Sequence, residues 1–145
     1  MANPNENLIN ALIWRESNGD PNAVSGVGAR GLGQIMPVAL VDYNKKFKTN
    51  YTLDDLFNPN INRLITRWYA TVRVPELLVG EGIAPTLEAI VGAYNVGARG
   101  LKLGRKPAKG YVADVLARMG LERGYEYGND INQLPNGSKS KYKKK

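Results

Sequence analysis

One glutamate near the start of the chain is placed to transfer a proton. Glu16 follows Ile9, Leu12 and Ile13 at helical spacings, so a helix here would put its carboxyl where the apolar face meets the core. Poor solvation disfavours the charged form and raises the pKa of a Glu carboxyl above its ordinary value of roughly 4.3. Glu16 would then remain partly protonated near neutral pH, as a general acid requires. The alternative is a helix-end residue whose carboxyl reaches solvent.

The absence of two residue types limits the chemistry. The 145-residue sequence contains neither cysteine nor histidine. This excludes disulfides, thiol nucleophiles, triads that use histidine and metal sites built from Cys or His ligands. Acid–base chemistry is left to carboxylates, lysine or tyrosine, and we expect neither a metal nor a cofactor. Asp20 is a candidate second acid, although an Asp before Pro21 is also typical of a residue that caps a turn.

A polar, glycine-rich segment follows Glu16 and predicts a cleft beside it. Gly28, Gly31 and Gly33 fall within six positions. Because glycine lacks a side chain, it allows close approach of the backbone and positive φ angles, as in the wall of a cleft that takes a saccharide.

Apolar residues at helical spacing predict a mainly α fold with a single domain. Proline and glycine positions bound the helices, and Pro75 is expected to kink or split the third helix near Val74. On the second helix, Val38 and Val41 are predicted to face the core. The predicted elements are helices over residues 4–17, 38–47, 60–79, 85–95 and 111–119, a polar loop over 99–109, and a small β-hairpin from Ser25 to Leu32.

The formal charge of +7 lies mainly at one end of the chain. Five of the last seven residues are lysines, which leaves 15 basic and 13 acidic residues elsewhere. The composition turns polar beyond Gly128, so we predict a domain over residues 1–129 and a disordered, lysine-rich tail over 130–145. Such a tail is more typical of a solvated end than of a specific nucleic-acid site, and it can make weak electrostatic contact with anionic surfaces.

Four short blocks of the sequence form a recognisable series. They are Glu16-Ser17-x-x-x-Pro21-x-Ala23-x-Ser25; Gly28-Ala29-x-Gly31-Leu32-x-Gln34-Ile35-Met36-Pro37; Asn58-Pro59-Asn60-Ile61; and Ala93-Tyr94-Asn95-Val96-Gly97, followed by Gly110-Tyr111-Val112-x-x-Val115-Leu116. Together they resemble the soluble lytic transglycosylases of the goose-type lysozyme-like superfamily, from residue 8 to about residue 119. The sequence departs from that family at Gly33, where Met is usual, and at Val96, where a small residue is usual. We expect Gly33 to widen or loosen one wall of the cleft.

The resemblance implies a lysozyme-like domain that cleaves the β-1,4 bond between N-acetylmuramic acid and N-acetylglucosamine in peptidoglycan. It also implies that Glu16 acts twice. The carboxyl would first protonate the leaving oxygen and then take a proton from the C6 hydroxyl of the muramic acid, which closes on C1. The product would be a 1,6-anhydromuropeptide, with no water consumed. The implied partner is the peptidoglycan glycan strand, and we expect the protein to act as a monomer.

The same resemblance implies which further residues contact the substrate. Tyr94 would hold the Glu16 carboxyl, because an ordered phenol fixes its orientation and helps to stabilise its charged form. Met36 would pack against a sugar ring, with an ordinary core Met as the alternative. Amide and hydroxyl side chains would bind the N-acetyl groups and hydroxyls of the sugar. The full set of implied substrate-binding residues is Ser25, Gln34, Met36, Tyr94, Asn95 and Tyr111.

The implied place of action is the bacterial cell wall, in the periplasm or envelope. No segment reaches the ~18 apolar residues of a membrane span, and residues 1–10 lack the basic start and apolar stretch of a signal peptide. Delivery would then depend on a phage particle, a holin-dependent lysis system, a specialised secretion machine or the earlier loss of a leader.

Three other functions fit parts of the sequence. A hydrolytic lysozyme would use the same fold and cleft, with water as the nucleophile. A non-catalytic peptidoglycan-binding or structural module would keep the cleft without cleaving anything. A basic helical nucleic-acid binder would be favoured if binding to DNA survived moderate salt after removal of residues 137–145.

Overall fold

Helices make up most of the described part of the chain. The structure is a computed structural model that describes residues 4–120, and its mainly helical architecture confirms the predicted fold class. The predicted domain end at residue 129 and the lysine-rich tail lie outside the described residues. The α-helices are α1 (Pro4–Ser17), α2 (Pro37–Phe47), α3 (Pro59–Trp68), α4 (Val74–Gly80), α5 (Leu87–Val96), α6 (Ala98–Lys102) and α7 (Tyr111–Arg118).

Helix α1 lies against α7 and supplies much of the main hydrophobic cluster. Ile9 and Leu12 are fully buried there together with Val91 of α5 and Val115 of α7. Burying one such aliphatic side chain stabilises the fold by about 1.5–3 kcal/mol. Because these contacts fix the rotation of α1, they also determine where its last turn points.

An ion-pair cluster joins the beginning of α1 to α3. The Glu6 carboxylate accepts a hydrogen bond from Arg63 Nη2 at 2.9 Å and another from Arg67 Nε at 2.9 Å. Both arginines lower the pKa of Glu6. The cluster fixes α3 beside α1 at the surface of the domain.

The long helical segment after Asn58 is interrupted where the proline predicts it. A π-helical turn, Tyr69–Arg73, separates α3 from α4, and Val74 donates its N–H to the Tyr69 carbonyl five residues back. Pro75 has no N–H to continue an α-helical ladder, and a turn with one extra residue accommodates that gap. The prediction of a split near Val74 is confirmed.

The predicted inward face of α2 is wrong. Val38 and Val41 are about 60% exposed, whereas Leu40 and Tyr43 are buried. The Tyr43 ring packs edge-on against Trp68 of α3, with 5.4 Å between the ring centroids. Apolar residues occur on both sides of this short helix, so periodicity alone does not identify the buried side, and the aromatic contact with α3 decides it.

Two connecting segments also differ from expectation. The predicted loop 99–109 begins as helix α6, and only its later part is irregular. The hairpin predicted from Ser25 to Leu32 is not confirmed, because the segment forms two isolated antiparallel bridges, Val24 with Arg30 and Arg30 with Ile35. No helix within residues 4–120 combines the length and apolar character that crossing a membrane requires.

Candidate active site

The carboxyl of Glu16 lies in the last turn of α1, half-buried between helices. Helix α1 ends immediately afterwards, because Asn18 and Gly19 both take positive φ angles, 56° and 78°. Tyr111, at the first position of α7, donates its hydroxyl proton to Glu16 Oε2. Burial raises the pKa of Glu16, and this effect outweighs the lowering by the Tyr111 hydrogen bond and by the positive charge of Arg15.

Arg15 contacts the face of the Tyr111 ring. Its Nε lies 3.3 Å from Asp114 Oδ2, and its guanidinium lies over the Tyr111 ring, 5.1 Å from the centroid. A cation over an aromatic face is attracted by the electrons of the ring. Arg15 therefore fixes the ring whose hydroxyl orients Glu16.

Tyr94 does not make the contact with Glu16 that the sequence predicts. Its hydroxyl donates to the carbonyl oxygen of Gly33 at 2.6 Å. Burial raises the pKa of Tyr94 well above its usual value, and the negative charge of Glu16 raises it further. The phenol that is hydrogen-bonded to the Glu16 carboxyl is therefore Tyr111 and not Tyr94.

One buried asparagine holds the glycine-rich segment against α3. Asn62 accepts from the Gly33 N–H at 2.8 Å and donates to the carbonyls of Arg30 and Leu56, both at 2.9 Å. The Thr66 hydroxyl adds a further hydrogen bond to Asn62 Oδ1 at 3.0 Å. Burying a polar side chain is costly unless it is hydrogen-bonded, and these four bonds meet that requirement.

The two central glycines of the segment are required by close packing. A Cβ atom on Gly31 would lie 2.2 Å from the Leu56 carbonyl oxygen, and one on Gly33 would lie 2.0 Å from Thr66 Oγ1. Gly33 was expected to widen the cleft wall. Instead, the side chain of Thr66 on α3 occupies the space that a side chain at position 33 would need. The cleft wall is therefore not widened at Gly33.

A groove of about 330 Å³ runs along this wall between α2 and α5. It contains four of the predicted site residues, namely Gln34, Met36, Tyr94 and Asn95. The lining found for it among the described residues does not include Glu16, Ser25 or Tyr111. Its sides are largely apolar, with valines at the rim, which suits the apolar faces of a sugar.

The polar ends of these groove residues are held by the backbone. Gln34, with φ of 51°, donates from Nε2 to the carbonyls of Ala23 and Gly31 at 3.1 and 3.0 Å. Asn95 Oδ1 accepts from the Ala108 N–H at 2.9 Å. These bonds fix both amide groups at the groove without a ligand present.

Ser25 and Asp20 stabilise turns. The Ser25 hydroxyl accepts from the N–H groups of Val27 and Ala29, at 3.2 and 3.0 Å. Asp20 is exposed, and its Oδ1 accepts from the Asn22 N–H at 2.9 Å, which fits the turn-capping interpretation rather than that of a second acid.

Comparisons with known proteins agree with this architecture. The family model described as "Transglycosylase SLT domain" matches residues 1–111. The chain belongs to this family. None of the curated protein sequences gives a significant match.

The SLT domain also resembles parts of two larger solved structures. One is the 70 kDa soluble lytic transglycosylase from Escherichia coli, with 25% identity, 92% of this chain and 24% of that chain covered, and a TM-score of 0.65. The other is an inactive mutant of the lytic transglycosylase Slt from Pseudomonas aeruginosa, with 24% identity, 87% and 22% coverage, and a TM-score of 0.62. The chain spans about a quarter of the length of these proteins. The predicted resemblance and the predicted lysozyme-like fold are confirmed.

Three residues of the SLT domain that shape the groove escaped the sequence reasoning. Asn62 and Thr66 lie four positions apart on the buried face of α3 beside Ile65. Two polar residues at helical spacing beside the apolar Ile65 were the signal available for both. Tyr69 lines the groove and packs edge-on against Tyr94, with 5.8 Å between centroids. Its position depends on the π-helical turn, which the sequence does not specify.

Proposed function

We propose that this SLT domain is a peptidoglycan lytic transglycosylase with Glu16 as its catalytic residue. It would cleave the bond between N-acetylmuramic acid and N-acetylglucosamine and leave a 1,6-anhydromuramoyl end. The observation that carries the proposal is the environment of Glu16. Its carboxyl is half-buried, burial raises its pKa, and Tyr111 orients it. These are the properties of an acid that holds a proton until substrate arrives.

In the first step, protonated Glu16 donates its proton to the glycosidic oxygen as the bond from C1 to that oxygen breaks. Positive charge develops on the muramic acid ring. Glu16 becomes a carboxylate, and the hydrogen bond from Tyr111 grows stronger because its acceptor is now charged.

In the second step, the Glu16 carboxylate takes the proton of the C6 hydroxyl, and O6 forms a bond to C1. The proton that left Glu16 in the first step is thereby restored, and atoms and charge balance without water. Because O6 and C1 belong to one sugar, the reaction gains from proximity.

The surroundings of Glu16 favour a single-acid mechanism. Asp20, the candidate second acid, is exposed and accepts a hydrogen bond from the Asn22 N–H instead of facing Glu16 as a partner. A glycosidase that forms a covalent intermediate, or activates water, normally uses a second carboxylate. Attack by the C6 hydroxyl needs none.

The groove supports the proposed substrate contacts. Gln34, Met36, Tyr94 and Asn95 line it and would contact the glycan strand. Ser25 would act mainly through the turn that it stabilises, and Tyr111 through Glu16. The proposed partner is the glycan strand of the bacterial cell wall. Delivery through a phage particle, a lysis system or a secretion machine remains part of the proposal.

Mass spectrometry of fragments released from purified sacculi tests the reaction type. A transglycosylase releases muropeptides with anhydro ends, each lighter by one water than its hydrolytic counterpart. Products that carry only reducing ends would instead identify a lysozyme.

Replacement of Glu16 by Gln tests the catalytic assignment against a non-catalytic binding module. The E16Q variant should bind purified cell walls as the unmodified domain does and should fail to clear their turbidity. Equal clearing by both forms would reject Glu16 as the acid.

A further inference from the structure

Thr66 is a polar residue in a fully buried position of α3. Its side chain is 0% exposed, and its hydroxyl donates to Asn62 Oδ1 at 3.0 Å. A buried Thr in a helix usually bonds the carbonyl four residues back, as Thr71 does with the Arg67 carbonyl at 2.7 Å. Thr66 bonds a side chain instead, and that side chain in turn holds the glycine-rich segment.

Thr66 and Gly33 compete for one space. A Cβ on Gly33 would lie 2.0 Å from Thr66 Oγ1 and 3.0 Å from both Thr66 Cβ and Cγ2. Contacts this short cannot be tolerated without movement of one partner. The structure therefore has no room for the Thr66 hydroxyl together with a side chain at position 33.

The Gly33 peptide is held on two sides. Its N–H donates to Asn62 Oδ1 at 2.8 Å, and its carbonyl accepts from the Tyr94 hydroxyl at 2.6 Å. The Thr66 side chain fills the space on the Cβ side of Gly33 and is hydrogen-bonded to Asn62. Thr66, acting through Asn62, and Tyr94 thus hold the same residue where α3, α5 and the glycine-rich segment converge.

We propose that Thr66 is a positioning residue that fixes the Gly33 peptide, through its hydrogen bond to Asn62 and by filling the adjacent space. It thereby sets where the Gly33 carbonyl meets the Tyr94 hydroxyl and where the groove wall continues into Gln34. The effect on catalysis rests on the proposed function. The positioning itself does not, because it concerns contacts within the domain.

This role makes a distinct kinetic prediction. Gln34 directly follows Gly33 and lines the groove, so a displaced wall weakens substrate binding. The carboxyl of Glu16 is held by Tyr111 instead. Loss of Thr66 should therefore act on KM and leave the alkaline limb of the pH profile where it is.

Two variants separate the hydroxyl of Thr66 from its shape. T66V keeps the shape and removes the hydroxyl, and it should lower kcat/KM for sacculi roughly tenfold through KM. T66S restores the hydroxyl and should recover most of that loss. The matched control is T71V, which removes a hydroxyl from the same helical segment and should leave KM unchanged. Equal KM for T66V and the unmodified domain would overturn the proposal.

A second pair of variants tests the shared space. G33A alone should lose about a hundredfold in kcat/KM, because its new methyl displaces the wall. The double variant G33A/T66A removes the opposing hydroxyl and methyl and leaves the two Cβ atoms 3.0 Å apart, an overlap that a shift of a few tenths of an ångström relieves. It should therefore recover at least tenfold relative to G33A. If the double variant showed no recovery of kcat/KM relative to G33A, the two positions would act independently, and the shared space would be rejected.

An activity-independent measurement keeps the two proposals distinguishable. With tyrosine labelled by carbon-13 at the ring carbon that carries the hydroxyl, T66V should shift the Tyr94 resonance and leave that of Tyr111 in place. The Tyr94 resonance is assigned by its loss in Y94F. If the unmodified domain released no muropeptides, the proposed function would be rejected. The Tyr94 resonance would still show whether Thr66 positions this part of the groove wall. An unchanged Tyr94 resonance in T66V would overturn that positioning.

Discussion

The hydroxyl of Tyr111 donates a hydrogen bond to the carboxyl of Glu16, although the two residues lie 95 positions apart in the chain. The contact joins the last turn of α1 to the first turn of α7, and those two helices pack against each other in the core cluster that includes Leu12 and Val115. The orientation of the proposed catalytic group is therefore a property of helix packing. A change in the core between α1 and α7 would reach the carboxyl without touching it.

The Glu16→Gln variant should lose at least about a hundredfold in the rate of sacculus solubilisation, since general acid catalysis contributes that much or more. It should also be more stable at neutral pH. Burial raises the pKa of Glu16 in the folded state, so folding retains a proton that the unfolded chain releases, and stability falls as pH rises through this interval.

Thermal unfolding at several pH values checks the stability effect of E16Q. The melting temperature of the variant should exceed that of the unmodified domain near pH 7. The difference should shrink as pH falls below the ordinary pKa of Glu, where the carboxyl is protonated in both states. A difference independent of pH would mean that ionisation of Glu16 does not cost stability.

The Tyr111→Phe variant should move the alkaline limb of the pH–rate profile to higher pH. The Tyr111 hydrogen bond lowers the pKa of Glu16, so its loss raises that pKa further and keeps the acid protonated to higher pH. The rate should still fall roughly tenfold or more, because the carboxylate formed during reaction loses a charge-assisted hydrogen bond.

Tyr94→Phe is the matched comparison for Y111F. Its hydroxyl bonds Gly33 rather than Glu16, so the variant should raise KM and leave the alkaline limb close to its original position. If Y94F moved the limb and Y111F did not, the assignment of the two tyrosines would have to be exchanged.

The Asn62→Ala variant should lower the free energy of unfolding by about 3 kcal/mol, since it leaves several buried backbone groups without partners. The groups affected are the Gly33 N–H and the carbonyls of Arg30 and Leu56. Urea unfolding followed by circular dichroism gives the value. Asn60→Ala, at an exposed position two residues earlier on the same helix, should change it by less than about 0.5 kcal/mol.

The Gly31→Ala and Gly19→Ala variants separate backbone strain from steric overlap. Both glycines have φ near 77°, but a Cβ on Gly19 meets nothing within 4 Å, whereas one on Gly31 lies 2.2 Å from the Leu56 carbonyl oxygen. G19A should cost about 1 kcal/mol from the left-handed conformation alone. G31A should cost clearly more in the same unfolding measurement, and equal losses would contradict the close approach to Leu56.

Residue spacing within single helices correctly predicted two features, the poor solvation of Glu16 and the interruption before Pro75. The apolar residues Ile9, Leu12 and Ile13 correctly indicated a poorly solvated Glu16, because helical periodicity fixes which residues share a face. Pro75 correctly predicted the interruption of the long helix, because the missing N–H acts wherever the proline lies.

Contacts between distant segments were beyond such reasoning. The resemblance assigned the contact with Glu16 to Tyr94, but which tyrosine reaches the carboxyl depends on how α5 and α7 pack in the core beside α1. The buried face of α2 was wrong for the same reason, since Tyr43 finds its partner on another helix. Thr66 was overlooked because it packs against Gly33, which is distant in the sequence and adjacent only in the folded domain.

The π-helical turn between α3 and α4 has a consequence for how this region can tolerate change. One additional residue would advance the phase of a regular α-helix by about 100°. The wider π-helical turn absorbs this offset, so deleting a single residue from Tyr69–Arg73 would close the turn into α-helix and leave Val74 and Leu78 facing their cluster beside α5. Alignments of related sequences should therefore permit a one-residue gap here, whereas a one-residue deletion in the regular part of α3 or α4 would rotate a buried face out of the core.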